Sequence, residues 1–206
     1  MIRQMCTQQQ QHIVPRSILE HLPRHAPREE NEWPRLETLL EQDDRRIVVL
    51  DDNLAGISTV YDTNILLDYS VSAIEELLVR NDEPFFIITN ARSLEEKEAA
   101  KVIRKIMDNV TQAVMSNNYA RPVQIISRMD STLRSHYPTV VNTIQENAFV
   151  TVDATILAPQ VFEGGRVTFN DIHYVEDKEK DDFVPIHMTS YAQDAMFSFS
   201  TSHLKE

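Results

Sequence analysis

The chain has a single cysteine, Cys6, among 206 residues, so no internal disulfide can form. No Cys or His grouping has zinc-binding spacing, and no metal site is expected. Only three glycines occur, Gly56, Gly164 and Gly165. That is too few for a glycine-rich loop of the kind that cradles phosphates. No apolar run approaches the roughly 20 residues that span a bilayer; strings such as Ile47-Val48-Val49-Leu50 are short. The N-terminus through Gln11 is polar and glutamine-rich, without the apolar centre of a secretory signal. Together these absences predict a cytoplasmic protein with no membrane partner. Positive charge is also scarce: 20 Lys and Arg stand against 32 Asp and Glu, a net charge of −12. A polyanion would be repelled by that field, which argues against nucleic acid.

What is present fits a globular α/β chain, with 42% hydrophobic and 25% charged residues. Residues 1–43 read as a leader with prolines at 15, 23, 27 and 34. A short amphipathic helix is expected over 33–41, with Trp33, Leu36, Leu39 and Leu40 on one face. The leader is expected to wrap a single domain, 44–206. From residue 45, strands at 46–50, 85–89, 123–127 and 155–158 alternate with helices. The helices open at Ser72 and Ser93, each with capping-box spacing to Glu75 and Glu96, and at Pro138. Short antiparallel strands follow at 166–169, 172–175 and 183–186, with a turn at Asn170-Asp171. The pattern predicts a three-layer Rossmann-like α/β domain. Its sheet is mostly parallel with helices on both faces, and it has a short antiparallel extension near the C-terminus.

In such sheets ligands bind beyond the carboxyl ends of the strands. Asp51, Asp52 and Gly56 follow the first strand; Asn90, Arg92 and Ser93 follow the second. Arg128, Asp130, Ser131, Thr132 and Arg134 follow the third; Pro159, Gly164, Gly165 and Arg166 follow the fourth. All three glycines and four arginines thus collect in these loops of an acidic protein. Arginine forks match carboxylate oxygens, and aspartate accepts hydrogen bonds, or a proton, from hydroxyls. A small polyhydroxylated acid needs that combination. Singly, each feature has a plainer reading. The aspartate pair suits a turn, Arg128 can pair with Asp130, and Gly164-Gly165 suits a tight turn. His136, His173, His187 and His203 read as structural or solvated, and Met107, Met115, Met188 and Met196 as core filler.

The segments Asp51-Asp-Asn-Leu-Ala-Gly-Ile-Ser-Thr-Val-Tyr-Asp62, Thr89-Asn-Ala-Arg-Ser-Leu94 and Ile126-Ser-Arg-Met-Asp-Ser-Thr-Leu-Arg134 resemble motifs of the four-carbon acid sugar kinases. So do Ala158-Pro-Gln-Val-Phe-Glu-Gly-Gly-Arg166, Asp171-Ile-His-Tyr-Val175 and Thr189-Ser-Tyr-Ala-Gln-Asp194. The resemblance implies the acid-sugar-binding N-terminal domain of an ATP-dependent kinase acting on threonate- or erythronate-type acids. Asp51, Asp52, Arg92, Asp130, Ser131, Arg134, Gly165 and Arg166 match its pocket positions. Asp52 or Asp130 is the candidate catalytic base. ATP and Mg²⁺ are expected only with the family's C-terminal nucleotide-binding domain, which this sequence lacks, so the chain alone is expected to be inactive. The expected partner is a small sugar acid, with a homodimer left open. Ala55, Ser135, Ala195 and Phe197 depart from the family pattern. Two alternatives stand beside the kinase half: a non-catalytic acid-binding module or gene remnant, and a Rossmann-type nucleotide-binding domain. Two carboxylates and one glycine in the first loop tell against the last.

Overall fold

The computed structural model describes residues 13–21, 32–80, 83–148 and 151–205. Its elements are β1 (Val14–Pro15), α1 (Glu32–Gln42), β2 (Arg46–Asp51), β3 (Asn64–Leu66), α2 (Val71–Arg80) and β4 (Phe85–Ile88). They continue with α3 (Glu96–Ser116), β5 (Val123–Arg128), α4 (Thr139–Glu146), β6 (Arg166–Phe169), β7 (Ile172–Asp177) and β8 (Asp182–Pro185). The class is α/β: a parallel four-stranded sheet flanked by helices, plus a four-stranded antiparallel sheet. The chain divides into two compact units, where the sequence reading takes 44–206 as one domain. One unit comprises residues 25–129 and 135–156; the other comprises 1–24, 130–134 and 157–206.

The first unit holds the parallel sheet, in the order β3-β4-β2-β5. Residues 47–50 of β2 and all of β4 are apolar because these strands lie inside, with neighbours on both edges. Val48, Leu50, Phe85 and Ile87 form one core with Ile74, Leu77 and Leu78 of α2. The stripe Ala99, Ile103, Ile106, Met107, Val110 and Ala113 of α3 and Val140 of α4 complete it. Arg46 is fully buried at the start of β2. Its guanidinium lies 5.3 Å from the Phe85 ring centroid and donates to the Leu77 carbonyl at 2.6 Å.

The second unit is built on the antiparallel sheet, in the order β1-β8-β7-β6. Val167, Ile172, Tyr174 and Phe183 form its core. Asn170 and Asp171, at φ 49° and 63°, make the two-residue β6–β7 connection expected from the sequence. Both residues tolerate the left-handed region that a hairpin of this length requires.

Several expectations fail in detail. The strand expected at 155–158 does not form: residues 151–160 have no regular structure, and Ile156 is 91% exposed. β-branched propensity cannot make a strand without a ladder partner. Strand β3 is too short to show periodicity and was not foreseen. Neither capping box forms: α2 begins one residue before Ser72, and Glu95 precedes α3 without a side-chain cap bond. Ser93 instead donates to the Asn90 carbonyl at 2.9 Å. Helix α1 forms, but none of its residues is buried. The rest of the leader lies largely outside the described residues. Of the methionines expected in the core, Met107 is buried, while Met115, Met188 and Met196 are exposed.

Candidate functional site

In the parallel unit, three strand ends are stitched together by their backbones. Thr89 donates to the Asp51 carbonyl through both its N–H, at 2.9 Å, and its hydroxyl, at 3.0 Å. The Asp52 N–H donates to the Arg128 carbonyl, and the Arg92 N–H donates to the Asp52 carbonyl. Asp51 itself is buried. One carboxylate oxygen accepts from the Asn53 N–H at 3.0 Å and the other from the Arg128 guanidinium at 2.9 Å. A pocket opens beside them, lined among others by Asp52, Arg92, Arg128, Ser135 and His136. The His136 ring meets the Leu94 carbonyl at 2.7 Å, and the Ser135 hydroxyl meets Met129 Sδ at 3.2 Å. Gly56 packs on the Asp51–Arg128 pair: a Cβ there would lie 1.7 Å from Arg128 Nη1 and 2.2 Å from Asp51 Oδ2.

In the antiparallel unit, the loop 130–134 is tied tightly to itself. Asp130 Oδ1 accepts from the Thr132 N–H at 2.7 Å and its hydroxyl at 2.6 Å, an Asx turn reinforced by a second bond. Asp130 Oδ2 accepts from Arg134 Nη2 at 3.0 Å, and Arg134 Nε donates to Thr132 Oγ1 at 2.9 Å. Leu133 sits at φ 62°, left-handed although it has a branched side chain. Arg134 also pairs with Asp194 at 3.8 Å.

Arg166 opens β6 in the same unit. Its guanidinium donates to the Gly164 carbonyl at 3.0 Å and to the Tyr191 hydroxyl at 3.1 Å, while its buried Nε has no hydrogen-bond partner among the described residues. Arg134 and Arg166 both approach the Tyr191 ring, at 5.3 and 5.7 Å from its centroid, within cation–π range. Gly165 is required in its place: its φ is 67°, and a Cβ would meet the Glu176 side chain at 2.8 Å.

His173 is fully buried on β7, directly across the hairpin from Thr168. Its ring nitrogens meet Thr168 Oγ1 at 2.9 Å and the Ser131 carbonyl at 2.8 Å. Burial, aided by the nearby Arg166 charge, holds its pKa below the ordinary 6.5, against the raising effect of the Ser131 bond.

The structure thus brings Asp51, Asp52 and Arg92 together in the parallel unit. It brings Asp130, Ser131, Arg134, Gly165 and Arg166 together in the antiparallel unit. Against this geometry, the family model of the sugar-binding N-terminal domain matches residues 47–206. The chain belongs to that family. Two solved structures resemble this sugar-binding domain. Both are of a DUF1537 protein from Bordetella bronchiseptica, crystallised in two forms as a domain-swapped dimer with bound citrate. They share 22% and 20% identity with TM-scores of 0.60 and 0.54. The matches cover 78% and 77% of the sugar-binding domain chain but 39% and 38% of the Bordetella chains, and at this identity the likeness is one of fold. No curated protein matches. Among the described residues no helix is long and apolar enough to cross a membrane.

Sequence reasoning did not single out Tyr191, and it took His173 for a structural or solvated residue. Tyr191 lies in a short 3-10 turn, Ser190–Gln193, whose spacing carries no periodic signal. His173 sits in an ordinary strand pattern, and only the hairpin register places its ring beside Thr168.

Proposed function

We propose that this chain is the acid-sugar-binding part of a kinase that phosphorylates a four-carbon sugar acid of the threonate or erythronate type. The observation that carries the reading is the pairing of Arg134 and Arg166 around Tyr191, with Asp130 and Asp194 beside them. Guanidinium forks held in place by neighbours suit a carboxylate, and the adjoining hydroxyl and carboxylate groups suit a polyol chain. The unpartnered Arg166 Nε is a buried donor whose cost an anionic ligand would offset. The citrate bound by the Bordetella relative supports a small carboxylic acid as ligand, and its domain-swapped dimer supports a homodimer. Asp51, Asp52, Arg92, Ser131 and Gly165 are assigned to the same function through the family motifs.

Asp52 or Asp130 would accept the proton of the hydroxyl that becomes phosphorylated. The residues here do not fit ATP or Mg²⁺. The sequence has three glycines, and among the described residues no group of three His, Cys, Asp or Glu could hold a metal. On this reading ATP and Mg²⁺ would be supplied with the nucleotide-binding domain that the family resemblance implies.

Titration of the chain with threonate, erythronate and neutral erythritol, followed by NMR, tests the reading. The acids should bind with a dissociation constant on the order of millimolar, and the alcohol should not. Equal shifts for acid and alcohol would overturn it.

A further inference from the structure

The loop that carries Asp130, Ser131 and Arg134 belongs to the antiparallel unit although it follows a strand of the parallel sheet. One buried side chain joins it to the hairpin that carries Arg166. Thr168 and His173 are register partners on β6 and β7, and the imidazole bridges the Thr168 hydroxyl and the Ser131 carbonyl. A carbonyl oxygen only accepts, so His173 Nε2 must carry the proton. Nδ1 of a neutral ring then accepts, and the Thr168 hydroxyl must donate to it. The hydrogen-bond pattern of a neutral ring therefore fixes one tautomer: the Ser131 carbonyl selects it, and the Thr168 hydroxyl turns to match.

We propose that His173 is a positioning residue for sugar-acid recognition: its Nε2–H holds the Ser131 carbonyl, and so sets loop 130–134 against the hairpin bearing Arg166. This rests on the reading of Arg134 and Arg166 as the acid-binding pair. Each arginine depends on its local backbone. Arg134 is fixed through Asp130 and Thr132, and Arg166 through Gly164 and Tyr191. Within this unit the imidazole is a direct side-chain link between the two backbones, loop and hairpin. Its loss would free the loop, leave the Ser131 carbonyl without its buried donor, and let the two guanidinium groups drift in relative position.

The test uses the full 206-residue chain and the variants His173→Ala and His173→Gln. Long-range ¹⁵N–¹H spectra of the wild type should show a neutral ring protonated at Nε2; protonation at Nδ1 instead would overturn the proposal. Hydrogen exchange in His173→Ala should speed up at Thr132 and Leu133 while the amides of β6–β8 stay protected. Threonate binding should weaken about tenfold, the scale of one buried hydrogen bond. His173→Gln, whose amide can still donate to Ser131, should recover part of that loss. A folded His173→Ala with wild-type affinity and wild-type protection in the loop would also overturn it. Should His173→Ala fail to fold, the wild-type tautomer and the His173→Gln variant still decide. A wild type that binds no acid would remove the sugar-acid reading, while the tautomer and exchange results would still judge the tether.

Discussion

Asp51 and Arg128 end adjacent parallel strands as register partners, and their side chains close an ion pair of 2.9 Å over Gly56. The aspartate is buried and the arginine is about two-fifths exposed, with side-chain accessibilities of 2% and 38%. The pair therefore holds a buried carboxylate from one side and leaves the guanidinium reachable from the pocket.

Gly56→Ala should push that pair apart, because Asp51 is short, buried and also bonded to the Asn53 N–H. We expect a loss of about 1–3 kcal/mol in denaturant unfolding. Arg128→Ala should cost about 1–2 kcal/mol, less than for a fully buried pair because water already screens the arginine. Wild-type stability in Gly56→Ala would show that the loop has room the geometry denies.

Arg134→Ala and Arg166→Ala should each weaken threonate binding beyond detection, while Arg80→Ala, on the exposed end of α2, should leave it unchanged. Binding to the wild type should also fall as salt rises, since the contact is between charges. Calorimetric titration at two ionic strengths checks both points. Salt-independent affinity would mean that the arginines are not the anchor.

His173 gives a pH signature with a definite sign. Its folded pKa lies below the ordinary 6.5, so the unfolded chain binds the extra proton first. Its contribution to stability is therefore complete above about pH 6.5 and is lost as pH falls below it, by at most about 1.4 kcal/mol per pH unit for one proton. His173→Gln should remove that slope, and the difference between variant and wild type should shrink with acidification. Parallel stability curves between pH 7 and 5 would contradict the buried neutral ring.

The chain by itself should produce no ADP from ATP and threonate above background, because its three glycines cannot cradle a triphosphate. A coupled assay showing ADP that scales with protein concentration, and that Asp52→Asn abolishes, would prove this wrong.

The parallel strands and their helices were legible because continuous apolar runs such as Phe85–Ile88 and the α3 stripe are dictated by burial, and burial is written in composition. The loops after β2, β4 and β5 were found by the rule for strand ends. The segment 155–158 misled because its Thr-Ile-Leu-Ala string has strand propensity, while a strand needs a ladder that no local pattern guarantees. Met115 misled in the opposite way: it is apolar but falls off the buried stripe of α3. Tyr191 and the role of His173 depend on long-range placement, 25 residues from Arg166 and 42 from Ser131 along the chain, and no short-range pattern encodes such pairings.

Leu133 bears on how the candidate loop meets a ligand. A branched residue held at φ 62° costs of the order of 1–2 kcal/mol, and the surrounding bonds of Asp130, Thr132 and Arg134 help to keep it there. That strain is incurred once, as the polypeptide folds, and not at each encounter with a sugar acid. A loop frozen in advance surrenders little further disorder on association, so even a weak, few-contact ligand can be recognised by shape and handedness and not merely by charge. Exchanging Leu133 for glycine would relax the strain but free the backbone, and so would move the ordering penalty to the moment of binding.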